Sequence, residues 1–318
     1  MSPAPPEPGA DRGRILVIRG GAIGDFLVTL PLLAALRDRL PGNRLEILGY
    51  PHIADLARTY HLVDAVHPID SRPLAGFFAR GAALDPTLST FFAGFHLVVS
   101  LLFDPDRIFQ GNVASVSKAQ FLQGLHRPDE TVGRHASDQI LDVLQRLAIF
   151  DADPVPRLAQ PHPDRGPSGI LAVHPGSGSA TKNWPEARWC ELLEALASRS
   201  SLRFLLIGGE AEEGRLERLA SRLPRERREI LRSQPLPTVA ERLRGCHGFI
   251  GHDSGITHLA AAVGLPGIAL WGPSRAQVWS PRGGDIQPLF AESGLESLQV
   301  STVHQALERH LPGLVSTR

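Results

Sequence analysis

Short apolar runs alternate along this chain with stretches in which apolar residues recur every three to four positions. The runs of the first kind are Arg14–Gly20, Arg44–Gly49, His96–Leu102, Ile170–His174, Arg203–Gly209, Gly248–Gly251 and Gly267–Gly272. Such runs predict buried strands, and the periodic stretches predict helices. Alternation of the two predicts a parallel sheet covered on both faces. Pro31 lies inside the first periodic stretch, where it predicts a kink or a late helix start.

The alternation stops once and then resumes. Residues 151–169 hold five prolines without periodicity, which predicts a linker. The first residues lack the basic start and apolar core of a signal peptide and predict a disordered tail. We therefore expect a tail at 1–13, a sheet-and-helix domain at 14–150, the linker at 151–169, a second sheet-and-helix domain at 170–300 and a terminal helix within 301–318.

Composition narrows the class of protein. The 318 residues are 42% hydrophobic and 21% charged with zero net charge, which is typical of a globular protein and gives no reason to expect a nucleic-acid partner. No apolar run reaches the ~18 residues of a membrane helix. Cys190 and Cys246 are too few for a disulfide framework and fit a reducing compartment such as the cytosol. The histidines show no zinc-ligand spacing, so we expect no metal.

The first of three glycine-rich turns, Arg19–Asp25, lies between a predicted strand and a helix. Gly20, Gly21 and Gly24 permit a tight turn and close approach of a ligand. Asp25 then stands at the start of the helix, near the carboxyl ends of the strands, where open parallel sheets bind ligands. An equally simple interpretation is that Asp25 only caps the helix.

The second turn, "HPGSGSATKNWP" from His174 to Pro185, contains one of only two lysines among 33 basic residues. Hydroxyls, flexible backbone amides and an ammonium group together are typical of a phosphate cradle. The P-loop and dinucleotide patterns are both absent. The alternative is a solvated loop with a surface lysine. The candidate phosphate ligands in this turn are Ser177, Ser179, Thr181 and Lys182.

The third turn, Gly251–Pro266, contains "DSG" before an alanine-rich helix. Ser254 predicts a helix start, whose free amides could bind an anion, and His258 follows one turn later. The alternative is a capped, buried helix with a structural histidine. Between the second and third turns, carboxylates after a predicted strand are candidates for ribose hydroxyls, or simply a solvated first helical turn. They are Glu210, Glu212 and Glu213.

Three blocks of the chain together resemble the signature blocks of glycosyltransferase family 9, the heptosyltransferases that use ADP-heptose to build the lipopolysaccharide inner core. The blocks are "ILVIRGGAIGDFLVTLPLLAALRDRLPG", "LAVHPGSGSATKNWPEARWCELLEAL" and "FIGHDSGITHLAAAVGLPGIALWGPS", and the resemblance spans about Arg14 to Pro281. It implies a GT-B fold of two Rossmann-like α/β domains facing a cleft. The first domain would bind the acceptor and the second the nucleotide sugar.

The resemblance also implies an inverting, metal-independent transfer, with an ADP-sugar as co-substrate and no further cofactor. The acceptor would be a lipid-linked sugar or another saccharide. The enzyme would be cytoplasmic and would contact the inner membrane peripherally. Asp25 would be the general base, with Gly21 and Gly24 in the acceptor-side loop. By motif, a glutamate, chiefly Glu212, would bind the ribose of the donor, and Gln234 would lie near its adenine. The diphosphate and the sugar would be bound by Ser177, Lys182, Asp253, Ser254, Gly255 and His258.

One motif departs from the family pattern, and one region gives little information about the acceptor. The common "GNDSGP" form appears as "GHDSGI", so His252 replaces an asparagine and a proline is missing. In residues 101–138 nothing names an acceptor. Four cations there could meet an anionic lipid-linked sugar or form a solvated face. They are Arg107, Lys118, Arg127 and Arg134.

Two alternatives to heptosyl transfer remain open at this point. One is another enzyme of GT-B shape, with a different nucleotide-sugar donor, a protein acceptor or epimerase activity. The other is a non-catalytic module that binds a nucleotide sugar. Retention of Asp25, Lys182 and Asp253 argues against the module, because a degenerate copy need keep none of them.

Overall fold

A computed structural model describes residues 13–158, 169–212, 214–291 and 293–315 of the chain. The fold divides into two compact units. The first comprises the described residues up to Asp129 together with 136–154, and the second comprises Glu130–His135 and the described residues from Val155 onward. The division at 154/155 falls inside the stretch predicted as a linker. Most of that linker, and the predicted tail except for Gly13, lie outside the described residues.

The first unit is built on a parallel sheet of five strands in the described residues, with the order β3-β2-β1-β4-β5. Its strands are β1 Arg14–Arg19, β2 Arg44–Gly49, β3 Ala65–Pro68, β4 Leu97–Ser100 and β5 Gln120–Gln123. Its α-helices are α1 Ile23–Leu27, α2 Leu30–Arg39, α3 Pro51–Thr59, α4 Pro86–Ala93, α5 Ile108–Val116 and α6 Ala136–Leu141, with 3₁₀ turns at Arg72–Phe78 and Asp142–Leu147.

The late helix start predicted from Pro31 is confirmed. The periodic stretch after β1 forms two helices, because α1 ends at Leu27 and α2 begins at Leu30. Pro31 occupies the second position of α2, where its missing N–H removes no intrahelical hydrogen bond. The break leaves α1 as a short turn of five residues that carries Asp25.

The second unit repeats the same plan with a parallel sheet of six strands in the described residues, in the order β11-β10-β9-β6-β7-β8. Its strands are β6 Ile170–Val173, β7 Arg203–Gly208, β8 Arg228–Arg232, β9 Gly248–His252, β10 Gly267–Trp271 and β11 Ile286–Phe290. Its α-helices are α7 Glu186–Arg199, α8 Arg215–Ser221, α9 Leu236–Arg244, α10 Gly255–Ala262, α11 Ala276–Trp279, α12 Val300–His310 and α13 Pro312–Val315. Single 3₁₀ turns lie at Ala180–Lys182, Glu210–Glu212, Arg225–Arg227 and Leu295–Ser297.

The order of strands reverses once in each sheet. In the first sheet the chain moves outward from β1 through β2 to β3, and then returns to place β4 on the other side of β1. In the second it moves from β6 to β8 and returns to place β9 beside β6. The loops that leave the carboxyl ends of two such strands diverge, and open α/β sheets bind ligands at this switch point. The β1/β4 and β6/β9 boundaries are therefore where each unit is built to hold a ligand.

Apolar side chains on both faces of each sheet form the cores. In the first unit a cluster of aromatic rings, including Phe77, Phe92 and Phe109, covers one face. In the second unit Trp184, Trp189 and residues of α7, α8 and α12 pack together. Helix α12, within the predicted terminal helix, buries Val303 and Leu307 in this core. Among the described helices, no segment has the length and apolarity to cross a membrane.

Candidate functional site

Lys182 and Asp253 meet at the switch point of the second sheet. Lys182 ends the 3₁₀ turn in the loop after β6, and Asp253 directly follows β9. The Lys182 ammonium lies 2.5 Å from Asp253 Oδ2, and their side chains are 34% and 10% exposed. Two residues 71 positions apart are thus joined because β6 and β9 are neighbours. The pair leaves the ammonium group accessible while fixing its position.

A buried histidine, His252, holds the loop that carries Lys182. Its Nε2 accepts a hydrogen bond from the Trp184 backbone N–H at 2.8 Å. Because Nε2 is an acceptor, the neutral ring carries its proton on Nδ1, which lies 3.2 Å from the Gly176 carbonyl oxygen and donates to it. Burial lowers the pKa of His252 to about 4, although the bond to Gly176 opposes this. The neutral ring therefore ties both ends of the loop to β9.

A second buried histidine supports the start of α10. His174 Nδ1 lies 3.2 Å from the Ser254 hydroxyl, and Ser254 caps α10 by accepting from the Thr257 N–H. The Thr257 hydroxyl in turn donates to the His252 carbonyl. Burial, and then the neighbouring His252, lower the pKa of His174 to about 3, so this ring is neutral as well. The predicted capping role of Ser254 is confirmed.

The hydroxyls of the second glycine turn bond to one another. The Ser177 hydroxyl lies 2.7 Å from the Ser179 carbonyl and 2.8 Å from the side-chain oxygen of Asn183, and it accepts from the Ser179 N–H. The Ser179 and Thr181 hydroxyls are 2.9 Å apart on the exposed part of the loop. These hydrogen bonds between side chains and backbone shape the loop that carries Lys182.

The glutamates predicted to bind the ribose of the donor differ in burial. Glu212 is buried and accepts from the Gly209 N–H at 2.8 Å, and a Cβ on Gly176 would collide with its carboxylate. Glu212 thus lies directly under the Lys182 loop. Glu210 is exposed, and Glu213 lies outside the described residues.

Three further donor candidates lie in the loop after β8 and in α10. Gln234 is exposed in the loop after β8 and donates to the Arg232 carbonyl. Gly255 opens α10, and His258 is buried one turn further along.

Asp25 lies at the switch point of the first sheet, shortly after β1. Its Oδ2 accepts from the Ala22 N–H at 3.1 Å, so the carboxylate does brace the first turn of α1, as the simpler interpretation of the sequence predicts. Its side chain is nevertheless 32% exposed. Gly21, at φ +99°, permits this turn, because a Cβ there would lie 3.0 Å from Asp25 Oδ2. Gly24 is the second residue of α1.

Arg19, the last residue of β1, contacts Asp25 through its guanidinium group. Its Nε and Nη2 donate to the Asp25 carbonyl at 3.2 and 3.0 Å, and Nη1 donates to the His126 carbonyl at 2.8 Å. Nη2 is also 3.5 Å from Asp25 Oδ1. Arg19 is only 2% exposed; burial lowers its pKa and the Asp25 charge raises it. The buried guanidinium thus holds both the backbone carbonyl and the carboxylate of Asp25 in position.

Three residues of this geometry escape the reasoning from sequence. The sequence analysis places Arg19 where the strand meets the glycine turn but gives it no role, although a charged residue that closes an apolar run is a usable signal. His174 and His252 also end or directly follow apolar strands. In the sequence His252 stands out only as a departure from a motif. Its partners, Trp184 and Gly176, are far away in the sequence and become visible only in the fold.

Two parallel-sheet α/β units, each with candidate ligand groups at its switch point, are the architecture of the GT-B fold. Solved structures have the same fold. The Escherichia coli heptosyltransferase WaaC with ADP matches at a TM-score of 0.73 and 22% identity, covering 93% of this chain and 99% of that one. The E. coli ADP-heptose lps heptosyltransferase II matches at 0.74 and 17%, covering 94% and 98%.

Sequence relatives identify the family. Residues 146–296 match the model of glycosyltransferase family 9 (heptosyltransferase). Lipopolysaccharide heptosyltransferase 1 of Pseudomonas aeruginosa is 25% identical over 311 residues, covering 82% of this chain and 79% of that protein. The Salmonella typhimurium enzyme of the same name is 27% identical over 289 residues, covering 82% and 89%. The resemblance is confirmed: residues 146–296 match glycosyltransferase family 9, the relatives that align with 82% of the chain are named heptosyltransferases, and the protein is a glycosyltransferase.

Proposed function

We propose that this enzyme transfers a heptosyl group from ADP-heptose to a hydroxyl of a lipopolysaccharide inner-core acceptor. The named activity of the relatives that align with 82% of the chain supports this substrate class. The single structural observation that carries the proposal is the meeting of Lys182 with Asp253 at the switch point of the second sheet. A diphosphate at that position would find one cation, a helix start and flexible backbone amides together.

Lys182 is the proposed partner of the leaving diphosphate. When the glycosidic bond to the diphosphate breaks, negative charge grows on the phosphate oxygens, and a positive charge at 4 Å stabilises it by about 4 kcal/mol at an effective dielectric of 20. Asp253 pairs with the ammonium group at 2.5 Å. Donor binding would place Lys182 between a carboxylate and a phosphate. Asp253 then orients Lys182 and accepts hydrogen bonds from sugar hydroxyls.

Asp25 is the proposed general base. The carboxylate is braced by Ala22 and Arg19 but remains partly exposed. It would remove the proton of the acceptor hydroxyl as that oxygen attacks the anomeric carbon. One displacement with one base inverts the configuration at that carbon, which makes the transfer inverting.

We propose that the transfer needs neither a metal nor a cofactor. Among the described residues, no group of three histidine, cysteine or acidic side chains is arranged to hold a metal ion. Lys182, the Ser177, Ser179 and Thr181 hydroxyls and the first amides of α10 would share the neutralisation of the diphosphate instead. Activity that persists in excess EDTA is the expected result, and activity restored only by a divalent cation would contradict it.

The acceptor would be lipid-linked and anionic, and the enzyme would act at the cytoplasmic face of the inner membrane. Of the four cations weighed for this role, Arg107 and Arg127 follow β4 and β5 and lie at the carboxyl edge with Asp25. Lys118 precedes β5 and lies at the opposite edge, and Arg134 belongs to the second unit. Arg107 and Arg127 are therefore the better candidates for an anionic acceptor.

Nucleotide binding by two matched lysine variants tests the donor assignment. Lys182→Ala removes a charge-assisted contact worth about 1.5–3 kcal/mol, so ADP affinity should fall roughly ten- to hundredfold. Lys118→Ala, the other lysine of the chain, should bind ADP as the wild type does. Calorimetric titration with ADP, UDP and GDP gives the comparison. Equal ADP affinity in both variants, or a preference for UDP or GDP, would contradict the proposal.

A further inference from the structure

An exposed aromatic ring stands at the carboxyl edge of the first sheet. Phe103, in the loop after β4, is 68% exposed, although a phenylalanine ring normally gains from burial. Its ring centroid lies 4.7 Å from that of His126, which follows β5 and is also exposed. The two rings therefore form a small aromatic surface, which we call the Phe103–His126 platform.

Hydrogen bonds on both sides of Phe103 keep the platform in place. On one side Gln123 donates to the carbonyls of Leu102 and Gly124, which joins the loop after β4 to the loop after β5. On the other side the Asp104 carboxylate accepts the N–H groups of Phe109 and Gln110 at the start of α5. The ring is thus presented to solvent by an anchored backbone. Preorganisation of this kind reduces the entropy that a ligand must overcome on binding.

The platform is connected to Asp25 by hydrogen bonds. The His126 carbonyl accepts from Arg19 Nη1, and the same guanidinium donates to the Asp25 carbonyl. The loop that carries Asp25 leaves β1, and the loop that carries Phe103 leaves β4, so the two flank the switch point of this sheet. The platform and the proposed base are therefore parts of one hydrogen-bonded assembly at the position where this unit is built to hold a ligand.

We propose that the Phe103–His126 platform is the subsite for the acceptor sugar and stacks against the apolar C–H face of its ring. This inference rests on the proposed function, because it takes the acceptor to be a saccharide. One face of a pyranose presents C–H bonds, which are attracted to the negative face of an aromatic ring, while its rim presents hydroxyls. Stacking fixes the plane of the sugar and leaves the rim free. A hydroxyl on that rim is then directed to Asp25, and exposed Arg127 lies beside the platform for an anionic substituent.

Steady-state kinetics with varied acceptor test the subsite. The acceptor is lipopolysaccharide from a heptose-deficient strain, and the variants are Phe103→Ala, Phe103→Leu and Phe103→Tyr. Loss of one aromatic contact should raise the KM for the acceptor roughly three- to tenfold in the alanine and leucine variants. The tyrosine variant keeps the ring and should match the wild type. The KM for ADP-heptose should be unchanged in all three.

Phe150→Ala is the matched control, because Phe150 is 75% exposed in the same unit and makes no ring contact with another described residue. It should leave the acceptor KM unchanged. A leucine variant that behaves like the wild type, or an alanine variant that behaves like Phe150→Ala, would overturn the proposal. Because Phe103 is mostly exposed, thermal unfolding should show all variants folded.

A binding measurement separates failure of the subsite from failure of the proposed function. In Phe103→Trp the new indole reports directly on the platform, and its fluorescence should change when the acceptor is added without any donor. A fluorescence change without transfer by the wild-type enzyme would reject the proposed reaction and keep the subsite. Transfer by the wild type without a change in either KM or fluorescence would reject the subsite alone.

Discussion

Asp25 and His252 show how much of this site depends on single side chains held by neighbours distant in sequence. Asp25 is placed by Arg19, whose guanidinium binds its carbonyl and lies near its carboxylate. His252 uses both ring nitrogens, one as acceptor and one as donor, to hold the loop of Lys182. Each side chain has a defined position because of what surrounds it, and burial lowers the pKa of His252 to about 4. Substitutions at these positions therefore give specific expectations.

Replacing Asp25 by asparagine should abolish most turnover and leave nucleotide binding intact. The amide oxygen can still accept from Ala22, so α1 keeps its brace. It cannot take a proton, so kcat should fall about 10²- to 10⁴-fold. ADP affinity should not change, since the proposed donor residues belong to the second unit. A kcat near that of the wild type, measured as ADP release with acceptor present, would show that Asp25 is not the base.

His252 and His174 should make the protein less stable at mildly acidic pH. Their pKa values in the folded protein, about 4 and 3, lie below the ordinary value of 6.5. Below pH 6.5 these histidines therefore bind protons in the unfolded chain but not in the folded one. The stability present above pH 6.5 is therefore lost as the pH falls toward 4. Each histidine should lower the free energy of unfolding by about 1.5–2 kcal/mol as the pH falls from 6.5 to 5. Urea unfolding across this range measures the loss.

His252→Asn supplies the control for that pH dependence. The asparagine side chain has an NH2 group that can donate to Gly176 and a carbonyl oxygen that can accept from Trp184, and it does not titrate. The slope of unfolding free energy against pH should decrease by about 1.4 kcal/mol per pH unit, which corresponds to one proton. A slope identical to that of the wild type would mean that His252 takes up its proton in the folded state, contrary to the geometry.

At the level of elements, the first turn of the chain is shaped by a glycine that has to accommodate Asp25. Gly21 lies at φ +99° directly against the carboxylate. Gly42, after α2, has a similar φ of +86°, but a Cβ there would meet no atom within 4 Å beyond the glycine and its two chain neighbours. The two positions share the backbone strain that a side chain would suffer. They differ only in what the side chain would touch.

Alanine at these two glycines should separate stability from activity. Both Gly21→Ala and Gly42→Ala should lose about 1–3 kcal/mol of unfolding free energy from the unfavourable φ. Only Gly21→Ala should also lower kcat, because its methyl group would push Asp25 away from Ala22. Urea unfolding and ADP release on the same samples provide both numbers. Equal kcat values in the two variants would contradict the assigned role of the turn.

Edge strands mark the limit of what the sequence can predict about elements. The central strands β1, β6 and β9 are buried apolar runs, and the sequence predicts them within a residue or two. The four strands that the sequence does not predict, β3, β5, β8 and β11, are all edge strands of their sheets. Their side chains are partly exposed, so the apolar run that predicts a buried strand is missing. Tertiary pairing, not local pattern, makes them strands.

The candidate site shows the same division between local and distant information. The glycine turns that carry Asp25, Lys182 and Asp253 can be found because their residue types are unusual for their position in the chain. The ion pair between Lys182 and Asp253 needs the order of β6 and β9, which depends on how the chain returns across the sheet. The sequence thus reveals which single residues carry chemistry. Which residues they contact depends on the topology of the sheet.

At the scale of the whole molecule, one architecture is used twice with different chemistry at each switch point. The first unit carries a carboxylate with a buried arginine and an exposed aromatic platform. The second carries a lysine, hydroxyls and the start of α10. The proposed proton acceptor and the proposed phosphate-binding centre therefore belong to separate units. The non-catalytic module considered from the sequence has no use for such a division.

The most direct test of the account is the transfer reaction itself. The wild-type enzyme would be incubated with ADP-heptose and heptose-deficient lipopolysaccharide in EDTA, and followed by mass spectrometry of the acceptor and by release of ADP. The account predicts that the acceptor gains one heptosyl group for each ADP released, with the anomeric configuration inverted. An acceptor that gains no heptose although the folded enzyme binds ADP, or that gains sugar only from another nucleotide donor, would contradict it.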